Sequence, residues 1–297
     1  MLANSIYLTG ASGFVGSNLI HFMGEEYPII KYKKKSPILI NETFVIHLAG
    51  KAHDLKNISN PQDYYHINTD LTQKVFDAFL NSDAKVFITL SSVKSVADKI
   101  EGELTEDHIP DPKTHYGKSK LLAEQYILSK KIPKYKRVYI LRPCMIHGHG
   151  NKGNFNLLYK LVSKGIPWPL GAFDNRRSFC SIDNLMFIIK ELLERNDVPS
   201  GVYNVADDLP LSTNEVISII AESNNKNTRI LKVPKSFIKF VARIGNLFKL
   251  PLNEERLNKL TDTYIVSNKK ILFALGKPLP LSCKDGLMKT FRSFLRK

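Results

Sequence analysis

A tyrosine and a lysine stand four residues apart at Tyr116 and Lys120. In a helix this spacing places both side chains on one face. The reference pKa of tyrosine is about 10, and a neighbouring ammonium group favours the phenolate. We therefore expect Lys120 to lower the pKa of Tyr116, so that the phenol exchanges a proton near neutral pH.

A serine supplies the third candidate group. Ser92 follows Lys85–Leu90, a run of residues that favour a strand. The carboxyl ends of parallel strands face the ligand crevice in an open α/β sheet. We expect the Ser92 hydroxyl to orient the reacting oxygen beside Tyr116.

A glycine-rich loop lies between the first predicted strand and helix, with glycines at every third position. Glycine lets the backbone approach a pyrophosphate, and the helix N-terminus offers free N–H groups and partial positive charge. This position in the chain predicts a dinucleotide site, whereas the loop alone is a moderately weak signal. The residues assigned to it are Gly10, Ser12, Gly13, Phe14, Val15 and Gly16.

The second predicted strand ends in lysines rather than in an acid. NAD-specific sites usually place Asp or Glu here for the ribose 2′-hydroxyl. This sequence has Lys31-Tyr32-Lys33-Lys34-Lys35, and Lys33 is the candidate contact. Lysines attract a 2′-phosphate, so NADP is favoured as cofactor and NAD is the alternative. A solvated lysine run without a ligand also stays open.

Strands alternate with helices in the first half, which predicts an α/β fold with a doubly wound parallel (Rossmann) sheet. A smaller C-terminal α/β substrate lobe is expected to follow. We divide the chain into residues 1–150 for the dinucleotide-binding domain, with a contribution from about 178–206, and 151–297 for most of the lobe. The predicted strands are Ser5–Leu8, Pro28–Tyr32, Thr43–Leu48, Lys85–Leu90, Arg137–Leu141, Arg229–Val233 and Tyr264–Val266; the helices include Phe14–Met23, His66–Asn81, Lys118–Leu128, Pro234–Phe248 and Asn268–Leu275.

Composition narrows the function classes. The 297 residues are 43% hydrophobic and 24% charged, as in ordinary globular proteins. The net charge of +15 is spread along the chain without clusters of interleaved aromatics, so we expect no nucleic-acid partner and favour anionic small molecules. The three scattered cysteines indicate reduced thiols and no metal site.

The expected location is the cytoplasm. No apolar run is long enough to span a bilayer, and no signal peptide is apparent, so stable membrane insertion is not expected. Pro234–Phe248 is apolar with several basic residues. A membrane-surface helix is one interpretation of it, but a helix packed on the core is favoured.

Together these motifs resemble the extended short-chain dehydrogenase/reductase family, and within it the nucleotide-sugar epimerases, reductases and dehydratases. The resemblance covers nearly the whole chain and includes His47-Leu48-Ala49-Gly50 and Leu141-Arg142-Pro143. It implies catalytic roles for Ser92, Tyr116 and Lys120, and helix-paired homodimers are usual in the family. It also implies that Leu48, Ala49, Gly50, Tyr116, Lys120 and Pro143 contact the cofactor.

The second half is similar to family members that bind UDP-hexoses. The resemblance places Asn154 and Arg177 at the sugar diphosphate, with Arg256 as a looser candidate for a second phosphate contact. An arginine fork suits a phosphate because it can bind two oxygens at once. Lys94 is also assigned to the substrate, and a UDP-sugar is the expected ligand.

The sequence departs from the family at two places. About ten residues separate the lysine run from Thr43–Leu48, where the family has a further helix and strand, so residues on the adenine side cannot be carried over. Val93 and Lys94 also replace the acid pair of the 4,6-dehydratases, which argues against that activity.

The remaining expectation is hydride transfer at C4 of a UDP-hexose or UDP-N-acetylhexosamine. A 4-keto-sugar reductase of polysaccharide biosynthesis is favoured, because the lysine run suits NADPH. A UDP-glucose or UDP-N-acetylglucosamine 4-epimerase is the alternative. A non-catalytic dinucleotide-binding sensor belongs to another class, but such proteins usually lose the Tyr or Lys that this chain keeps.

Overall fold

The computed structural model describes residues 4–34, 36–51, 60–151, 155–247 and 253–295. The strands are β1 (Ile6–Thr9), β2 (Ile29–Lys31), β3 (Phe44–His47), β4 (Val86–Leu90), β5 (Glu103–Leu104), β6 (Arg137–Pro143), β7 (Met145–His147), β8 (Phe179–Ser181), β9 (Gly201–Val205) and β10 (Ile265–Val266). The central strands β1, β3 and β4 are short, apolar and almost fully buried, as expected for strands covered on both faces of a parallel sheet.

The helices follow the predicted alternation. A π-helix occupies Tyr65–Asp70 and a 3₁₀ turn occupies Val93–Ser95. The α-helices are α1 (Phe14–Met23), α2 (Pro61–Tyr64), α3 (Leu71–Leu80), α4 (His115–Leu128), α5 (Phe155–Ser163), α6 (Ile182–Glu194), α7 (Thr213–Ser223), α8 (Lys235–Leu247), α9 (Glu254–Thr261), α10 (Lys269–Leu275) and α11 (Cys283–Phe294).

Six strands form one parallel sheet in the order β2-β1-β3-β4-β6-β9. This architecture confirms the predicted doubly wound α/β fold. The chain moves from β1 to β2 in one direction and from β3 onward in the other, so the order reverses between β1 and β3. Ligands of such sheets bind at the carboxyl ends of the strands beside this reversal. The topology therefore opens a crevice next to the glycine loop.

Helices cover both faces of this sheet. On one face, α1 and α6 pack over Leu8, Ile46 and Ile88, which are fully buried. On the other face, α3 and α4 cover Val45 and Phe87. The sheet is thus a fixed platform from which the strand ends present their polar residues.

A second apolar core lies in the C-terminal part, and α5, α7, α8, α9 and α11 contribute to it. Short strand pairs β5–β10 and β7–β8 accompany it. Strand β9 returns the chain to the large sheet at Gly201–Val205. The division into a dinucleotide-binding domain and a substrate lobe remains a prediction.

Two elements differ from the sequence predictions. Arg229–Val233 forms no strand but only isolated bridges, because it pairs with the irregular segment from Trp168 to Leu170. His66–Asn81 does not form one regular helix, since its first turns are a π-helix that ends at Asp70. There Thr72 Oγ1 donates to the Asn68 carbonyl at 2.7 Å, which satisfies a backbone acceptor of the widened turn.

Among the described residues, none of the helices is both long and apolar enough to cross a membrane.

Candidate active site

The glycine loop forms a close-packed cradle between β1 and α1. Gly10 has φ +74°, and a Cβ there would lie 2.5 Å from the Ala49 nitrogen. A Cβ on Gly16 would lie 2.2 Å from the Gly10 carbonyl oxygen. Among the residues that the structure describes, no side chain caps α1 at Gly13, so the N–H groups of its first turn are left for a ligand. The cradle therefore fits a dinucleotide pyrophosphate.

The loop after β3 forms the facing wall. The Leu48 nitrogen donates to the Thr9 carbonyl at 3.2 Å, which ties this loop to the end of β1. Gly50 is exposed, and a Cβ on it would lie 3.1 Å from Lys120 Nζ. The cradle, this loop and Lys120 thus meet at one end of the sheet, as the sequence predicted for one crevice.

The candidate catalytic trio comes together at the end of β4. A hydrogen bond joins the Ser92 side chain to the phenol of Tyr116. Lys120 Nζ donates to the Leu90 carbonyl at 2.8 Å, one strand residue before the serines. Ser92 and Lys120 are nearly buried, at 8% and 9% exposure.

Close approach of α4 to the strand end depends on its first turn. Thr114 caps the helix by accepting a hydrogen bond from the Gly117 nitrogen at 3.1 Å. A Cβ on Gly117 would lie 2.3 Å from the Lys94 carbonyl oxygen. The glycine after Tyr116 therefore lets α4 rest directly on the turn that follows Ser92.

Burial dominates the acidity of Tyr116 and overturns one expectation. Burial raises the pKa of Tyr116 above its usual value, and the hydrogen bond to Ser92 only partly opposes this. The predicted lowering by Lys120 is therefore wrong, since the loss of hydration outweighs any favourable charge. The phenol is held in its protonated form, which is the form that can donate a proton.

Lys120 is itself less basic than an exposed lysine. Burial lowers its pKa to about 8, and the carboxylate of Glu124 opposes this lowering. The ammonium form therefore persists at neutral pH but is lost above about pH 8.

Glu124 connects the two segments that carry the trio to strand β6. Its carboxylate accepts hydrogen bonds from Ser91 Oγ and from Ser95 Oγ, the latter at 2.7 Å. Arg142 at the end of β6 donates to it through Nε at 3.1 Å and through Nη2. Both members of this ion pair are buried, with side-chain exposures of 6% and 2%. This network fixes α4 against β4 and β6, one helical turn beyond Lys120.

Sequence reasoning missed Asn68, which the π-helix places in the crevice wall. Asn68 is fully buried, and its Oδ1 accepts from the Lys51 nitrogen at 2.8 Å. Its Nδ2 donates to Ser119 Oγ at 3.0 Å, and its Oδ1 would lie 3.2 Å from a Cβ on Gly50. The available signal was a lone amide on the apolar face of a predicted amphipathic helix.

A directed hydrogen-bond chain links Asn68 to the loop after β3. Thr72 gives its only proton to the Asn68 carbonyl, so His47 Nε2 must donate to Thr72 at 2.9 Å. His47 Nδ1 then accepts from Thr9 Oγ1 at 2.7 Å, and Thr9 accepts from the Ala49 nitrogen. Burial lowers the pKa of His47 to about 3, so the ring is neutral as this chain requires.

Two predicted substrate residues lie together beyond Ser92. Lys94 Nζ stands 4.1 Å from the centre of the Tyr264 ring and donates to the Asp98 carbonyl at 2.7 Å. Burial lowers its pKa to about 8, and the nearby Arg177 guanidinium adds to this, whereas Asp98 and Asp262 oppose it. Arg177 Nη1 donates to the Lys259 carbonyl at 2.7 Å. Two poorly hydrated cations that influence each other's charge in this way are suited to hold an anion.

The other residues predicted to contact the cofactor or the substrate differ in how far they are buried. Pro143 is buried at the end of β6, and Lys33 is exposed just after β2. Arg256 is exposed on α9, the helix that supplies the Lys259 carbonyl. Asn154 and Lys35 fall outside the described residues.

Within the part of the chain that the structure describes, no cluster of His, Cys, Asp and Glu could hold a metal ion. The three cysteines are buried free thiols.

Comparisons with known proteins agree with this geometry. The model of the NAD dependent epimerase/dehydratase family matches residues 39–206. A UDP-glucose 4-epimerase from Vibrio cholerae is 31% identical over 99% of this chain and 97% of its own length. An N-acetyl-alpha-D-glucosaminyl-diphospho-ditrans,octacis-undecaprenol 4-epimerase from Escherichia coli O157:H7 is 29% identical over 78% of this chain and 76% of its own.

A solved structure shows the same fold. It is that of UDP-N-acetylglucosamine 4-epimerase from Bacillus cereus, which superposes with a TM-score of 0.77 at 18% identity and covers 99% of this chain and 100% of its own.

Proposed function

Because the chain belongs to the NAD-dependent epimerase/dehydratase family, we propose that it is a 4-keto-sugar reductase that uses NADPH on a UDP-linked hexose. As a family member it is an enzyme of nicotinamide-dependent chemistry on nucleotide sugars, with action at C4. The proposal adds the direction of the reaction, the cofactor and the carrier of the sugar.

The lysines beside the edge strand β2 support NADPH as the cofactor and therefore reduction as the direction of the reaction. Strand β2 ends at Lys31 and is followed by Lys33 and Lys34, both exposed. Neither lysine forms an ion pair within the described residues, and β2 is the last strand on that side of the sheet. Free cations there would attract the 2′-phosphate of NADPH. A short adenine side also favours a cofactor that exchanges at each turnover, as a reductase requires.

The residues divide the work as follows. Gly10–Gly16 would hold the pyrophosphate, and Lys120 would hold the nicotinamide ribose, while the bound dinucleotide supplies the hydride for C4 of the sugar. Ser92 orients the C4 oxygen by a hydrogen bond. Tyr116, whose pKa is raised by the loss of hydration around its phenol, gives its proton to that oxygen as negative charge develops on it.

The cations beyond Ser92 would bind the substrate. Burial lowers the pKa of both Lys94 and Arg177, and the charge of Arg177 also lowers that of Lys94, which suits the diphosphate and the sugar oxygens nearest to it. The two curated relatives act on sugars carried by a diphosphate, one on UDP and one on undecaprenol, and this shared group is the part that an arginine can read.

A UDP-hexose 4-epimerase is the second candidate. The similarity to a UDP-glucose 4-epimerase over nearly the full length of both chains favours it. The trio serves both reactions, because each needs a proton moved at the C4 oxygen.

One assay separates the two. The enzyme is incubated with a UDP-4-keto-6-deoxy sugar and NADPH, and separately with UDP-galactose without added reductant. Consumption of NADPH at 340 nm in the first reaction, faster than with NADH, is the expected result. UDP-glucose formation in the second reaction with no NADPH oxidation in the first would replace the reductase by the epimerase. Absence of turnover in both reactions would contradict both candidate activities.

A further inference from the structure

Helix α8 presents a second apolar face to solvent. Its buried face consists of Ile238, Ala242 and Gly245, and the first two pack into the C-terminal core. The opposite side carries large apolar side chains spaced three and four residues apart, so they form one stripe along the helix. These are Phe237, Phe240, Ile244 and Leu247, exposed by 57%, 60%, 36% and 78%.

A line of cations borders the stripe. Lys235, Lys239 and Arg243 recur at every fourth position along one edge, and all three are exposed. Arg243 shares Glu254 of the neighbouring helix at 3.4 Å. The chain as a whole carries a net charge of +15. The local and the overall charge therefore complement an anionic surface.

We propose that α8 binds flat on an anionic lipid surface, with the apolar stripe in the interface and the bordering line of cations at the headgroups. A short helix of high amphipathicity with basic residues beside bulky apolar ones is suited to that position. The buried face keeps α8 attached to the enzyme, so binding brings the whole protein to the surface without insertion of a spanning segment. This property is independent of the reaction direction proposed above.

The location of α8 fits such an arrangement. It packs against α9, whose Lys259 carbonyl holds Arg177, and Lys235 Nζ lies 5.8 Å from the centre of the Phe173 ring in the substrate half. The substrate half of the enzyme would therefore lie close to the lipid surface.

Sedimentation with vesicles tests the proposal on the full chain. Vesicles of equal parts phosphatidylglycerol and phosphatidylcholine should pull down the wild type, and vesicles of phosphatidylcholine alone should do so on the order of tenfold less. The double variant Phe237→Ser/Phe240→Ser should no longer sediment with the anionic vesicles. The double variant Lys235→Glu/Lys239→Glu should sediment with them on the order of tenfold less than the wild type. Each variant must retain wild-type circular dichroism and catalytic turnover, since α8 lies outside the catalytic machinery.

Matched controls distinguish the stripe from general stickiness. Phe273 on α10 is 91% exposed, so Phe273→Ser removes an exposed phenylalanine elsewhere and should leave binding intact. Lys131→Glu/Lys134→Glu repeats the charge change away from α8 and should weaken binding less. Wild-type binding by the stripe variant, or an equal loss in the Phe273 control, would overturn the proposal. A change in the sedimentation coefficient of the stripe variant without vesicles would assign the stripe to a second copy of the chain and would overturn it as well.

Discussion

At the scale of single residues, spacing identified the proposed catalytic groups but not their acidity. Tyr116, Lys120 and Ser92 were chosen from a four-residue interval and a strand end, and the structure brings them together. Their pKa directions depend on burial, which no local pattern reports. Asn68 was not predicted as a site residue, because a π-helix places it in the crevice wall and α-helical spacing does not indicate that position.

Lys33 carries the cofactor prediction at this scale. Lys33→Ala should raise KM for NADPH roughly tenfold and leave KM for NADH unchanged, because an exposed lysine contributes one charged contact to the 2′-phosphate. Steady-state kinetics with both cofactors measures this. Lys131→Ala, which removes the same charge elsewhere, should change neither value. Equal effects on the two cofactors would show that Lys33 does not read the phosphate.

At the scale of elements, the register of α4 against β4 determines how the site is assembled. The sequence predicted α4, β4 and β6 to within a few residues, because the hydrophobic period and the β-forming residues are local properties. It did not predict the contacts that hold them, such as Gly117 against the Lys94 carbonyl or Glu124 against Ser91 and Arg142. Those pairs join α4 to the segment after β4 and to β6, which are separate parts of the sequence. Arg229–Val233 was assigned to a strand because its own sequence does not show that it pairs with an irregular segment, Trp168 to Leu170.

The Glu124 carboxylate gives the element scale a pH prediction. It raises the pKa of Lys120 against the effect of burial, so Glu124→Gln should lower that pKa below its present value of about 8. The alkaline limb of the kcat/KM profile, where the Lys120 ammonium is lost, should therefore move to lower pH. The variant should also lose about 3–5 kcal/mol of stability, since Arg142 stays buried without its counter-ion.

The pH profiles of kcat/KM for the wild type and for Glu124→Gln are measured at a temperature below the unfolding range of the variant. Glu215→Gln on α7 serves as the control, because it removes a carboxylate that is paired with an arginine, Arg176, and does not act on the pKa of Lys120. An unmoved alkaline limb in Glu124→Gln would disconnect this carboxylate from Lys120.

At the scale of the whole molecule, the crevice lies where the sheet order reverses and where the C-terminal part closes over the strand ends. The reversal was implied by the alternating strands and helices. The closure was not, because it depends on side chains that cross between distant segments. Tyr264 is one of these, since its hydroxyl donates to the Ala97 carbonyl at 2.7 Å while its ring lies under Lys94.

Tyr264→Phe tests this junction. Loss of one hydrogen bond should lower the free energy of unfolding by about 1 kcal/mol, as measured by urea denaturation. KM for the sugar substrate should rise as the turn after Ser92 loosens, while KM for NADPH stays constant. Tyr203→Phe removes a similar bond to the Pro199 carbonyl at 2.7 Å and should cost similar stability without changing KM. Matching kinetics in the two variants would leave Tyr264 without a role in the site.

The protonated phenol of Tyr116 is the centre of the account, and its removal is the most direct test. Turnover of a UDP-4-keto-6-deoxy sugar with NADPH is compared between the wild type, Tyr116→Phe and Tyr126→Phe, the last on the same helix with its hydroxyl on Asp77. Tyr116→Phe should reduce kcat by about 10²–10⁴ with NADPH affinity unchanged, and Tyr126→Phe should keep wild-type kcat. A Tyr116→Phe enzyme with kcat close to wild type would contradict the account.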